Sequence, residues 1–160
     1  MAHYNKSDNS EWRKMNVSDA AYVAGLFDGE GSVYYKKLFQ KRKGNKKGYW
    51  YWNIRMEISM TDRAVIEWVG EVLEVGRVNE KKVTNQGIKG VRKRQWRWRC
   101  GYRDALYVAK ILWPYAQVKL HKIEQIIDHY EPRAQELGDN IVDLATEREV
   151  RKFNWDVHGS

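Results

Sequence analysis

The strongest constraint on the fold is an alternation between residues 49 and 59. Trp50, Trp52, Ile54, Met56 and Ile58 fall in one phase, and Tyr49, Tyr51, Asn53, Arg55, Glu57 and Ser59 in the other. A period of two puts these sets on opposite faces of a strand, so one face packs and the other is free to meet a ligand. A second stretch repeats the pattern, with Lys93, Gln95, Arg97 and Arg99 alternating with Trp96, Trp98 and Cys100. By this phase the four tryptophans favour the packed face over stacking on unpaired bases. Tyr49 and Tyr51, in the open phase, fit either role.

The remaining elements arrange themselves around these strands. Val33, Tyr34, Tyr35 and Phe39 predict a strand over 32–40, joined to 49–59 by a basic turn, 41–48, that holds two glycines. A second hairpin is predicted over 77–84 and 91–100, across a loop containing Gly87 and Gly90. Before the first hairpin, Ser18 as N-cap, Asp19 in the first turn and an apolar run predict a helix over 19–28, with Gly29 as its stop. Thr61 or Asp62 caps a second helix through 73, carrying the stripe Val65, Ile66, Val69, Val72 and Leu73, with Gly76 ending it. Helices over 103–113 and 118–130 flank a break at Pro114, the latter burying Ile123, Ile126 and Ile127, and a last helix follows Gly138. The order αββαββαα predicts an α+β fold, one curved antiparallel sheet backed by helices. A polar arm over 1–16, one domain over 17–152 and a tail over 153–160 complete the expected organisation.

Charge gives the open face a partner. The 160 residues hold 29 Lys and Arg against 21 Asp and Glu, a net +8. Eight of the cations (Lys36, Lys37, Lys41, Arg42, Lys43, Lys46, Lys47, Arg55) lie between Gly31 and Met56 with no acid among them. Nine more (Lys81, Lys82, Lys89, Arg92, Lys93, Arg94, Arg97, Arg99, Arg103) lie over 81–103, again without an acid, leaving 12 cations against all 21 acids elsewhere. Segregation of this degree exceeds what solubility requires and points to a polyanion. Cationic and amide side chains on one strand face suit base edges in the major groove of double-stranded DNA, which admits a β-ribbon.

Other classes are disfavoured. The apolar stretches are too short to span a bilayer, the first 16 residues lack the apolar core of a secretory signal, and the lone Cys100 forms no intrachain disulfide. An intracellular location is expected, in the cytoplasm or, in a eukaryote, in an organelle or the nucleus. His3, His121, His129 and His158 lack zinc-ligand spacing with the cysteine, so no structural zinc is predicted, and the two helical histidines read as ordinary helix residues. The Glu-x-Lys of one nuclease class occurs at Glu80-Lys81-Lys82 with Asp62 upstream, a pattern expected by chance in a lysine-rich chain.

The first helix ends in a candidate metal site. Its end, Asp28-Gly29-Glu30-Gly31, puts two acids beside backbone oxygens at a helix terminus, which suits a hard divalent cation, although on composition alone an ordinary buried helix is the favoured account of the stretch. The whole stretch Val23-Ala24-Gly25-Leu26-Phe27-Asp28-Gly29-Glu30-Gly31 resembles the nonapeptide of the LAGLIDADG homing endonucleases, and the element order over about 18–130 resembles theirs as well.

The resemblance implies a single-motif, homodimeric branch, in which two motif helices pair through small residues, here Ala24 and Gly25, with Asp28 supporting the interface. It implies that Glu30 and the Gly29 carbonyl hold Mg2+, with Mn2+ as a substitute. Lys119, in Pro114-Tyr115-Ala116-Gln117-Val118-Lys119, resembles the family's basic residue near the nucleophilic water, and Arg63 resembles its polar residue after the second strand. DNA contacts are expected from Lys36, Lys41, Arg42, Lys43, Lys46, Lys47, Tyr49, Tyr51, Asn53, Arg55, Lys81, Lys93, Gln95, Arg97 and Arg99. The implied activity is hydrolysis of both strands at a long, nearly palindromic site to leave 3′ overhangs, by an enzyme encoded in an intron. The alternative is a cleavage-inactive protein of the same fold, an intron maturase binding RNA or a DNA-binding regulator.

Overall fold

A computed structural model describes residues 15–44, 46–82 and 93–131. Residues 1–14 of the expected arm, the second hairpin's loop with Gly87, Lys89, Gly90 and Arg92, the helix after Gly138 and the 153–160 tail lie outside the described residues. Within them the order is α1 (Val17–Glu30), β1 (Gly31–Gln40), β2 (Tyr49–Met60), α2 (Arg63–Leu73), β3 (Arg77–Lys81), β4 (Gln95–Gly101), α3 (Arg103–Leu112) and α4 (Leu120–Tyr130). The two hairpins join through their return strands, giving one antiparallel sheet in the order β1-β2-β4-β3. The expected α+β architecture is present.

The alternation decides what faces inward. Ile54, Met56 and Ile58 of β2 and Trp98 and Cys100 of β4 are buried under the helices, while their odd-numbered neighbours stay partly open. From the helical layer come Ala20, Val23, Ala24 and Phe27 of α1, Ile66, Val69 and Leu73 of α2, six residues of α3, and Ile123 and Ile126 of α4. Apolar area removed from water on this scale is the main stabilising term; truncating a ring such as Phe27 to alanine costs about 3–5 kcal/mol. Burial pushes the Cys100 thiol well above its ordinary range, and Asp104 adds to the shift.

Several boundaries differ from expectation. Asn16, not Ser18, caps α1: its side chain accepts from the Ser18 backbone N–H at 2.9 Å and from the Ser18 hydroxyl at 2.8 Å. The helix does not stop at Gly29 but runs on through Glu30, ending at Gly31 in extended backbone (φ −80°, ψ 159°). A Cβ on Gly31 would lie 2.3 Å from the Phe27 ring and 2.5 Å from the Phe27 carbonyl, so glycine is required there by packing. Asp62 caps α2, accepting from Val65 N–H at 3.1 Å, and Glu74 takes the left-handed turn (φ 58°) before Gly76 (φ 88°). Trp50 and Trp52 keep the predicted phase but are 63% and 36% exposed. Trp52 meets His129 of α4 and stacks on Tyr35, whereas Trp50, nearer the hairpin turn, lies against Phe39 and Lys37. His129 is accordingly more than a surface helix residue, its Nδ1 lying 3.1 Å from the Tyr35 hydroxyl.

Candidate nucleic-acid interface and metal site

The open face of the sheet is assembled by register. Cross-strand partners share a face, so Tyr34 and Lys36 of β1 join Arg55 and Asn53 of β2, and Glu57 and Ser59 join Arg99 and Arg97 of β4. Those in turn pair with Arg77 and Asn79 of β3, and Gln95 with Lys81. Lys36, Arg55, Arg77, Lys81, Arg97 and Arg99 therefore share one face, on which Glu57 is the only acid among the described residues. Arg77 was not among the expected contacts; the phase of Arg77-Val78-Asn79, with Val78 turned inward, is the signal that reveals it.

Aromatic rings support these cations. The Arg55 guanidinium lies 4.5 Å from the Tyr34 ring centroid, Lys36 Nζ 5.4 Å from the same ring, and the Arg42 guanidinium 5.2 Å from Tyr49. Such contacts hold long side chains over a surface and leave the charge accessible. Tyr49 is exposed and inclined to Tyr51 at 6.0 Å. The turn residues Lys41, Arg42, Lys43, Lys46 and Lys47, and Lys93 before β4, are exposed. Every expected contact residue within the sheet lies on the open face.

Glu57 is bound tightly into this surface. Its Oε2 accepts from Arg99 Nε at 3.1 Å and Nη2 at 3.0 Å, and its Oε1 from the Ser59 hydroxyl at 2.9 Å. Arg97 Nη1 is 3.8 Å away and Lys81 Nζ 3.9 Å. Burial pushes the carboxyl up, but Ser59, Arg99 and Arg97 together outweigh it and hold Glu57 below its ordinary value.

At the Gly31 end of β1 the fold joins residues far apart in sequence. Lys119 Nζ donates to the carbonyls of Asp28 at 2.6 Å and Phe27 at 3.1 Å, a cation seated on the negative end of α1. The Asp28 carboxylate returns the contact, accepting from the backbone N–H of Gln117 at 2.6 Å and Lys119 at 2.9 Å. Lys119 is the N-cap position of α4 and makes no side-chain cap of its own; Asp28 instead anchors, from another helix, the turn that leads into α4. Asp28, expected to support a helix interface, is thus engaged within its own chain.

Glu30 ends α1 beside this lock, exposed and without a hydrogen-bond or ion-pair partner among the described residues. Its carboxylate and the neighbouring Gly29 carbonyl are hard oxygen donors of the kind Mg2+ takes, with phosphates and waters filling the remaining positions. Among the described residues no cluster of three or more metal-ligating side chains occurs, so one chain presents a partial donor set. The Glu30 carboxylate and the Gly29 carbonyl fit a hard divalent cation as part of a larger donor set. Arg63 does not join them: its guanidinium lies 4.3 Å from the Trp96 ring and its Nε 2.7 Å from Glu67.

The outward side of α1 differs from the seam read in the sequence. Ala24 is fully buried in the chain's own core and Gly25 is exposed. The exposed positions Ser18, Tyr22, Gly25 and Gly29 recur at helical spacing, and a Cβ on either glycine would meet nothing within 4 Å. Among the described residues no helix is long and apolar enough to cross a membrane.

No family model and no curated protein matches the sequence. Among solved structures, the chain is similar to the homing endonuclease I-CvuI in complex with its target in the presence of Ca, with a TM-score of 0.51 at 12% identity over 89% of this chain and 82% of that one. I-CvuI with an I-CreI target and Mg, the DNA not cleaved, gives 0.50 at 13% identity over 88% and 82%. The homing endonuclease I-TnaI gives 0.50 at 15% identity over 84% and 83%. At these identities the likeness is one of fold, and it matches the α+β homing-endonuclease architecture that the motif implied.

Proposed function

We propose that the chain is a LAGLIDADG homing endonuclease, with one endonuclease domain over 17–152, that binds double-stranded DNA as a homodimer and cuts both strands with Mg2+. The observation that carries this reading is the convergence of Glu30 and Lys119 on one helix end, at the edge of a sheet face carrying six cations and one acid. The fold shared with homing endonucleases supports it.

Geometry sets the scale of the target. β1 has ten residues and extends about 30 Å at roughly 3.4 Å each, the length of about nine base pairs. Two copies related by a twofold axis span about eighteen, and the symmetry of the pair is mirrored in the half-sites of a nearly palindromic sequence. The exposed Gly25 and Gly29 let a second α1 approach closely, which brings two Glu30 carboxylates to one place and completes a donor set that a single chain leaves partial.

When bound, Mg2+ lowers the pKa of its water and offsets charge developing on the phosphate. The chain's own part is positional. Glu30 and the Gly29 carbonyl hold the cation; Lys119, fixed on the α1 carbonyls, keeps a positive charge and proton donors beside the nucleophilic water. The basic face aligns the duplex, so that a scissile phosphate meets the Glu30 tip. Products with 3′ ends protruding, and an origin within an intron, complete the proposal, as does Mn2+ as a substitute metal.

A supercoiled plasmid library carrying random inserts tests the reading. Cutting of a subset of inserts with Mg2+, and none with EDTA, is the expected result. Binding without metal-dependent cutting of any insert would instead leave a DNA- or RNA-binding protein of the same fold.

A further inference from the structure

A carboxylate at the centre of a face built for a polyanion weakens binding unless it does something else. Glu57 sits on β2, one of the two central strands, its side chain 19% exposed, and it gathers Arg99 and Arg97 from the adjacent β4 and Lys81 from β3 beyond it. Arg99 gives Glu57 two of its donors, Nε and Nη2. Arg97 Nε donates to Asn79 Oδ1 at 3.2 Å, with Nη1 turned toward Glu57. Both guanidinium planes are thereby fixed from one side, and donors not used internally remain to meet DNA.

We infer that Glu57 is a specificity-determining positioning residue: it pins Arg97 and Arg99 so that they read base edges in a fixed register instead of swinging to the nearest phosphate. The inference rests on the proposed DNA-binding function. A guanidinium on guanine requires a bidentate approach, and bidentate pairs discriminate by about 1–3 kcal/mol against the wrong base. A free Arg beside a polyanion gains more from phosphate, which carries no sequence information. Glu57 offsets that attraction, lowering affinity for every sequence while preserving the contacts that differ between sequences. Ser59 fixes the carboxylate's rotamer through its own hydrogen bond, and the cluster retains a net positive charge toward the duplex.

The test compares wild type, Glu57→Gln and Glu57→Asp on a pool of duplexes with thirty randomised base pairs, bound in EDTA and sequenced after selection. Glu57→Gln is expected to bind the unselected pool about threefold to tenfold more tightly, with a salt slope steeper by about one. Its selected sequences should lose enrichment at one contiguous block of positions in each half-site while keeping it elsewhere. Glu57→Asp keeps the charge but shortens the reach to Arg99, so unselected binding stays within twofold while the same block blurs. Thermal melts establish that both variants are folded. Enrichment identical to wild type in both variants would overturn the inference and leave the DNA-binding reading intact. Absence of duplex binding by wild type would overturn that reading first.

Discussion

The lock between α1 and α4 makes the sharpest energetic prediction. Asp28 holds two backbone N–H groups with charge-assisted hydrogen bonds of 2.6 and 2.9 Å, and they belong to the turn that carries Lys119. Replacing Asp28 with alanine leaves both donors without an acceptor. The Gln117 N–H is exposed and water replaces its partner cheaply; the Lys119 N–H is partly buried and loses more. A hydrogen bond to a charged group contributes about 1.5–3 kcal/mol, and water offsets most of the loss at the exposed Gln117 N–H, so the sum is about 2 kcal/mol. For a chain of this size that corresponds to a fall of roughly 4–8 °C in Tm, read by circular dichroism at matched protein concentration. Asp28→Asn retains one acceptor and should lose about half as much. Because the turn places Lys119, Asp28→Ala should also lower kcat for DNA cleavage at least tenfold at 25 °C, where the variant is still folded, with less change in KM. A Tm within 1 °C of wild type would refute the anchoring role of Asp28. A lowered Tm with unchanged kcat would refute the link between the anchored turn and Lys119.

Further perturbations separate packing from surface roles. Gly31→Ala forces the Phe27 ring and carbonyl apart and should cost about 1–3 kcal/mol in urea denaturation, whereas wild-type stability would contradict the 2.3 Å approach. Gly25→Leu, with open space around its Cβ, should fold yet sediment as a monomer; a stable dimer would remove α1 from the interface. Cys100 is buried with its thiol disfavoured as thiolate, so alkylation by iodoacetamide at pH 8 should be negligible until denaturant is added, and reaction at the rate of a free thiol would contradict that burial. Glu57 has a lowered carboxyl pKa in the fold, so its contribution to stability is present above the ordinary value of 4.5 and lost as pH falls through the folded value. Glu57→Gln should therefore flatten the acid limb of a stability–pH curve, and an identical limb would count against the pairing with Arg99.

What was legible in the sequence followed from periodicity. Alternation over 49–59 and 93–100 separated Ile54, Met56, Ile58 and Trp98 from Arg55, Arg97 and Arg99 correctly, because a strand's two faces depend only on residue parity. Periodicity assigns a face but not its depth, so Trp50 keeps its phase yet is exposed. The helix stop was misread because two glycines two residues apart offer the same local signal. Only the packing of the Phe27 ring and carbonyl, one helical turn earlier, distinguishes Gly31, which must be glycine, from Gly29, which faces open space. Similarly, Ala24 and Gly25 are adjacent small residues in the sequence, but 100° of helix rotation sends one into the core and the other outward. The partners of Asp28, expected at a helix interface, are not legible in the sequence, since they lie 89 and 91 residues away. The same holds for Glu57, whose role depends on the β2–β4 register.

The central claim is that Glu30 belongs to the chemistry and not to binding. Its most direct test is Glu30→Gln on a duplex recovered from the plasmid library, measured alongside wild type for both Mg2+-dependent cleavage and affinity. The account predicts that cleavage falls below detection while Kd in EDTA stays within about threefold, since the exposed carboxylate supports no other contact among the described residues. Cleavage by Glu30→Gln at the wild-type rate would contradict it.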